Sequence, residues 1–115
     1  MHRDYRLYLD DILEAIDRIY EYVKSMDEDA FGSDRKTQDA VIRNLEVIGE
    51  ASRKLPDELK GQSNEIEWSK IIGFRNILAH EYFGVSIPIV WDIVQNKMGP
   101  LKQACTKLLK QMDKA

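Results

Sequence analysis

The stretch YRLYLDDILEAIDRIYEYVKSM, residues 5–26, decides the fold class. Its apolar residues fall at Tyr5, Leu9, Ile12, Ile16, Ile19, Val23 and Met26, in steps of 4, 3, 4, 3, 4 and 3. That spacing lays one apolar seam along a helix, as a bundle requires. Leu13 and Tyr20 widen the stripe, while Asp10, Asp11, Glu14, Asp17, Arg18 and Glu21 take the opposite face. Asp27–Gly32 reads as a turn, and Ser33 or Asp34 would cap a second helix running to about Leu55. There Val41, Leu45, Ile48, Ser52 and Leu55 repeat the same steps, and Gly49 and Ala51 leave room for a close helix approach. Pro56–Asn64 breaks the pattern as a loop with at most one short turn.

A third helix carries Trp68, Ile71, Ile72, Leu78, Ala79 and Tyr82 at threes and fours, and should end near Phe83–Gly84, with Gly84 as its cap. Ser86 caps the next start, Pro88 fits its first turn, and Ile87, Val90, Trp91 and Val94 form its buried side. Gly99–Pro100 marks a further break before a last stripe of Leu101, Cys105, Leu108 and Met112. The expectation is an all-α, four- to five-helix up-and-down bundle, with residues 1–115 as a single domain.

Composition narrows the function classes. A chain of 115 residues, 43% hydrophobic and 32% charged, has an ordinary globular balance and enough length for a core. No apolar run approaches a bilayer span, and Met1–Tyr5 opens no signal-peptide core, so a cytoplasmic protein is expected. Cys105 is alone, which rules out an internal disulfide and fits a reducing compartment. The net charge of -3 argues against bulk electrostatic binding of nucleic acid and leaves room for a local basic site. Arg35, Lys36, Arg43, Arg53 and Lys54 are the candidates for one.

Chemistry concentrates in Gly73-Phe74-Arg75-Asn76-Ile77-Leu78-Ala79-His80-Glu81-Tyr82. Arg75 sits within an apolar stripe, where its charge needs a partner or an anionic ligand. On a straight helix Arg75 and His80 lie about 140° apart, while Asn76 and His80 share a face. A long Arg side chain can still reach the same cleft. An imidazole beside a fixed cation suits metal-free cleavage of an RNA phosphodiester: His80 moves protons and Arg75 steadies the crowded phosphorane. Asn76 could orient the imidazole or donate to phosphate, and Tyr82 could stack on a base. The polar line Asp39, Arg43, Glu46, Glu50 and Arg53 is either a solvated face or, at Arg43, Asn44 and Glu46, a wall of that site. No zinc-type ligand spacing, glycine-rich phosphate loop or hydrolase triad is present, so neither metal nor cofactor is expected. From spacing alone, a packing role for His80 stays open beside the catalytic one.

These residues resemble a known family. Trp68, Ile71-Ile72-Gly73-Phe74-Arg75-Asn76, His80-Glu81-Tyr82-Phe83 and Val90-Trp91 look like the signature of HepT-like HEPN-domain proteins, and Arg43-Asn44-Leu45-Glu46-Val47-Ile48-Gly49-Glu50-Ala51 resembles their second helix. The resemblance spans essentially the whole chain. It implies an α-helical homodimer with the Arg-x4-His-x-Tyr motifs facing a shared cleft. It also implies a metal-independent endoribonuclease, the toxin of a toxin–antitoxin pair, silenced when an MntA-like nucleotidyltransferase antitoxin attaches AMP to the motif Tyr. By position, Arg75 and His80 would be catalytic, Asn76 supporting and Tyr82 the modified residue. Arg43 and Glu46 are candidates for a supporting layer behind them. Two other readings compete: a non-catalytic helical docking subunit for a nucleotidyltransferase, and a structural helical dimer in which Glu46 or Glu50 pairs with Arg75.

Overall fold

A computed structural model describes residues 4–80 and 85–113, the side chains of Ala79 and His80 excepted. Seven α-helices occupy the described residues: α1 Arg6–Val23, α2 Glu28–Gly32, α3 Arg35–Arg53, α4 Asp57–Lys60, α5 Trp68–His80, α6 Ile87–Asn96 and α7 Met98–Asp113. A single 3-10 turn, Gly61–Ser63, follows α4. The five longer helices are those expected from periodicity, and no strand occurs among the described residues. Helix α1 packs on both α3 and α7, and α3 packs in turn on α5.

The seam of α1 holds the centre. Leu9, Ile12, Ala15, Ile16 and Ile19 have no exposed surface, and Val23 is buried with them. Val41, Leu45, Ile48, Ser52 and Leu55 from the second segment are all buried, as are Leu101, Cys105 and Leu108 of α7. Burying each large aliphatic side chain is worth about 1.5–3 kcal/mol. Tyr20 departs from expectation. It stays partly exposed, with the Lys102 ammonium 5.8 Å from its ring centre, and Tyr8 takes the buried place on the widened stripe. Burial pushes the Cys105 thiol up to about 12, so it behaves as a small apolar side chain.

Several segment ends differ from the sequence reading. Asp27–Gly32 is not a bare turn. The Asp27 carboxylate accepts from Ala30 N at 2.8 Å and starts α2, whose Phe31 packs on Trp91 with ring centres 5.2 Å apart. Asp34 is the cap of α3, accepting from Thr37 N at 3.1 Å and from its hydroxyl at 2.9 Å. The Pro56–Asn64 segment holds α4 and the 3-10 turn, more structure than the single short turn expected there. Ser86 Oγ caps α6 and Pro88 lies in its first turn, as expected. The break before α7 falls at Lys97, whereas Gly99–Pro100 lies inside the first turn of α7. Proline is tolerated there because the first-turn N–H groups have no helical acceptor. The expected end of α5 at Phe83–Gly84 lies outside the described residues.

Helix α5 is fixed at three points. At its start, Trp68 Nε1 donates to Lys60 O and Ser63 O, each at 3.1 Å, tying the helix to the 3-10 turn. Toward its end, Leu78 is buried in the core. Between them α5 crosses α3 at Gly49. A Cβ there would overlap Arg75 Cβ and lie 2.8 Å from Arg75 Cγ and 3.3 Å from the Ile71 carbonyl oxygen. The close approach read from the sequence at Gly49 is therefore real, and its neighbour is the base of the Arg75 side chain.

In an exposed helix, Gly→Ala stabilises by about 1 kcal/mol. Here the added methyl must push α3 and α5 apart, a cost of about 1–3 kcal/mol. Gly49→Ala is expected to lower the urea midpoint and the melting temperature; a variant more stable than the parent would contradict the contact.

Candidate active site

Because Gly49 lets the Arg75 stem lie against α3, the guanidinium emerges beside the next residue of α3, Glu50. Arg75 Nη2 lies 3.2 Å from Glu50 Oε2, and Arg75 Nη1 donates to Asn76 Oδ1 at 3.1 Å. The pair is about one-third exposed, at 30% and 32% for the two side chains. It is therefore less screened than a surface ion pair, yet open to an arriving ligand.

Glu50 is shared. Arg53 Nη2 donates to its Oε1 at 2.7 Å, and Lys54 Nζ lies 3.9 Å from the same oxygen. The Arg53 hydrogen bond first, then the charges of Arg53, Arg75 and Lys54, hold the Glu50 carboxyl below its ordinary range despite some opposing desolvation. Three cations thus face one carboxylate.

Arg75 forms part of the wall of a surface cavity of about 220 Å³ between α1 and α3. Arg43, Glu46 and Glu50 line it from α3 and Lys54 from the residue that follows α3, with Tyr8 and Asp11 from α1. Arg43 and Glu46 thus share a wall with Arg75, but the Glu46 carboxylate faces Arg43, at 3.8 Å. Asn44 is turned away: it is buried, and its amide donates to Ala40 O at 2.9 Å. Of the basic candidates, Arg43, Arg53 and Lys54 gather near Arg75. Arg35 and Lys36 lie at the far end of α3, about 20 Å along its axis from Glu50.

His80 is the last described residue of α5, five positions beyond Arg75. Its imidazole and the whole of Tyr82, both singled out from the sequence, lie outside the described residues. Glu50 is the group that sequence reasoning placed least well. It stood only as one of two possible partners for Arg75, four residues from Glu46 and on the same helix face. Which of the two meets Arg75 depends on where α5 crosses α3, and the signal for that crossing was Gly49.

Among the described residues, no helix is long and apolar enough to cross a membrane.

Comparison with known proteins agrees with the family resemblance. A family profile described as Ribonuclease HepT-like matches residues 12–108. A Thermococcus cleftensis protein named "Probable ribonuclease HepT" is 42% identical over 110 residues, covering 96% of this chain and 100% of that protein. A Methanocaldococcus jannaschii protein named "Putative RNase MJ0127" is 44% identical over 96 residues, 84% of this chain and 79% of its own length. Another from the same organism, named "Gamma-glutamylcyclotransferase and putative RNase MJ0434", is 40% identical over 114 residues, 99% of this chain. The chain spans about half of that relative, 51% of its length. No solved structure matches the chain. With most of its length matched by the profile and by relatives of this kind, the chain belongs to the ribonuclease HepT-like family.

Proposed function

We propose that this protein is the toxin of a toxin–antitoxin pair: a metal-independent endoribonuclease that works as a homodimer and is silenced by AMP transfer to Tyr82. The observation that carries the catalytic part is the Arg75 guanidinium, held by Glu50 and Asn76 at the edge of a cavity that also gathers Arg43 and Lys54. Family membership and the complete Arg75-x4-His80-x-Tyr82 spacing support the rest.

In the proposed reaction the ribose 2′-hydroxyl attacks its own 3′-phosphate, and His80 takes the hydroxyl proton or passes one to the leaving group. As the new P–O2′ bond forms, the P–O5′ bond breaks and the 5′-oxygen receives a proton. The products are a 2′,3′-cyclic phosphate and a free 5′-hydroxyl. Arg75 donates to the phosphoryl oxygens, whose negative charge grows in the phosphorane. Two copies of α5 facing one cleft would double the cations along it. Silencing would follow from group transfer: the Tyr82 hydroxyl attacks the α-phosphorus of ATP, pyrophosphate leaves, and AMP stays on the ring. The adduct would bring negative charge and bulk to the place the RNA phosphate must enter.

Incubated with total cellular RNA in EDTA, the wild type is expected to cleave, while His80→Ala should lose at least about a hundredfold in rate, as general acid–base catalysis is worth. Helicity and dimer mass should be unchanged in that variant. Equal cleavage by both would remove His80 from the chemistry. An inactive wild type with an unmodified Tyr82 would favour the docking-subunit reading. With the partner nucleotidyltransferase and ATP, the intact mass of the wild type should rise by one AMP and that of Tyr82→Phe should not; an adduct on the variant would move the modification elsewhere.

A further inference from the structure

We propose that Glu50 is a positioning residue for Arg75, its charge holding the guanidinium at the edge of the cavity where a substrate phosphate would meet it, without cancelling the positive charge of the cluster. This rests on the ribonuclease reading above and extends it to a residue outside the motif.

Two groups meet the guanidinium. Glu50 Oε2 lies 3.2 Å from Nη2 as an ion pair, and Asn76 Oδ1 accepts from Nη1 at 3.1 Å. Asn76 acts from within α5, itself anchored to the fold; the tie to a second helix comes from Glu50 of α3. Its own place is set by Gly49, where α3 and α5 meet too closely for a Cβ.

The electrostatics also fit positioning rather than quenching. A carboxylate that served Arg75 alone would neutralise it and repel RNA. Glu50 instead divides one negative charge among Arg53, Lys54 and Arg75, which leaves the four groups with a net positive charge. The same three cations hold its carboxyl below the ordinary carboxylate range. The pairing charge is thus present whenever the enzyme works.

The test is steady-state cleavage of one RNA oligonucleotide by wild type, Glu50→Gln and Glu50→Ala. Gln keeps an oxygen acceptor at the same reach and drops the charge; Ala drops both. Glu50→Ala is expected to lower kcat about 10- to 100-fold, as loss of alignment does. Glu50→Gln should lower it to a similar degree, because the tie to Arg75 is a charge pair. Neither should raise KM, since removing a negative charge beside the site favours RNA. If Glu50→Ala fails to fold, Glu50→Asp reads the same geometry. It keeps the charge but withdraws the acceptor by one methylene, so its kcat should fall with KM unchanged.

A wild-type kcat in Glu50→Ala or Glu50→Asp would overturn the proposal. So would a wild-type kcat in Glu50→Gln, or a rise in KM with kcat intact. A wild type that cleaves no RNA would instead remove the ribonuclease reading itself, and the proposal with it.

Discussion

The contact between α3 and α5 at Gly49 is the constraint on which the candidate site depends. Two helices ordinarily keep their axes about 8–10 Å apart because side chains stand between them. At Gly49 nothing stands between them but the Arg75 stem, which lies where a Cβ would otherwise be. One missing side chain on α3 therefore decides where a charged group of α5 emerges. The remaining anchors of α5, the Trp68 indole at one end and Leu78 toward the other, hold the helix against rotation about that contact. Fold and chemistry meet at this crossing: the close approach is a matter of packing, and the group it delivers is an arginine at the edge of a polar cavity.

An acidic protein proposed to act on RNA needs its positive charge concentrated. The chain as a whole carries -3. Around Arg75, however, α3 contributes Arg53 at its last position and Arg43 about three turns earlier, and Lys54 follows directly. Interspersed carboxylates keep this cluster from becoming a broad basic surface. Such an arrangement suits a protein that handles one phosphate at a defined place better than one that coats a nucleic acid, because non-specific affinity grows with the number of phosphates neutralised.

Much of this was legible in the sequence where a single physical rule governs. The 4–3 steps of Tyr5–Met26 and Val41–Leu55 mark α1 and α3 because a buried helical face repeats at 3.6 residues. Asp34 and Ser86 mark helix starts because their side chains satisfy N–H groups that the helix leaves free. Gly49 stood out as a gap in an otherwise bulky seam. What was not legible depends on tertiary choice. Five residues of α2 are too few to show a period, and the segment becomes a helix with Phe31 lodged against Trp91 from a distant part of the chain. Gly99–Pro100 reads as a stop, yet both residues are tolerated in a first turn. Tyr20 sits at the margin of the α1 stripe, where the helical period does not say whether a side chain is covered, and it ends partly exposed with Lys102 of α7 over its ring. Glu46 and Glu50 differ by one helical turn, and Gly49 singles out Glu50 only once α5 is known to cross α3 there.

The claim on which the account turns is that the RNA itself supplies the nucleophile to a phosphate held by Arg75. The most direct measurement uses an oligoribonucleotide with one mapped cleavage site and its twin carrying a single 2′-deoxynucleotide on the 5′ side of that linkage, both incubated in EDTA. The account predicts cleavage of the first with a 2′,3′-cyclic phosphate end and an intact linkage in the second. Cutting of the deoxy-substituted linkage at a comparable rate would mean that water is the nucleophile and would contradict the account.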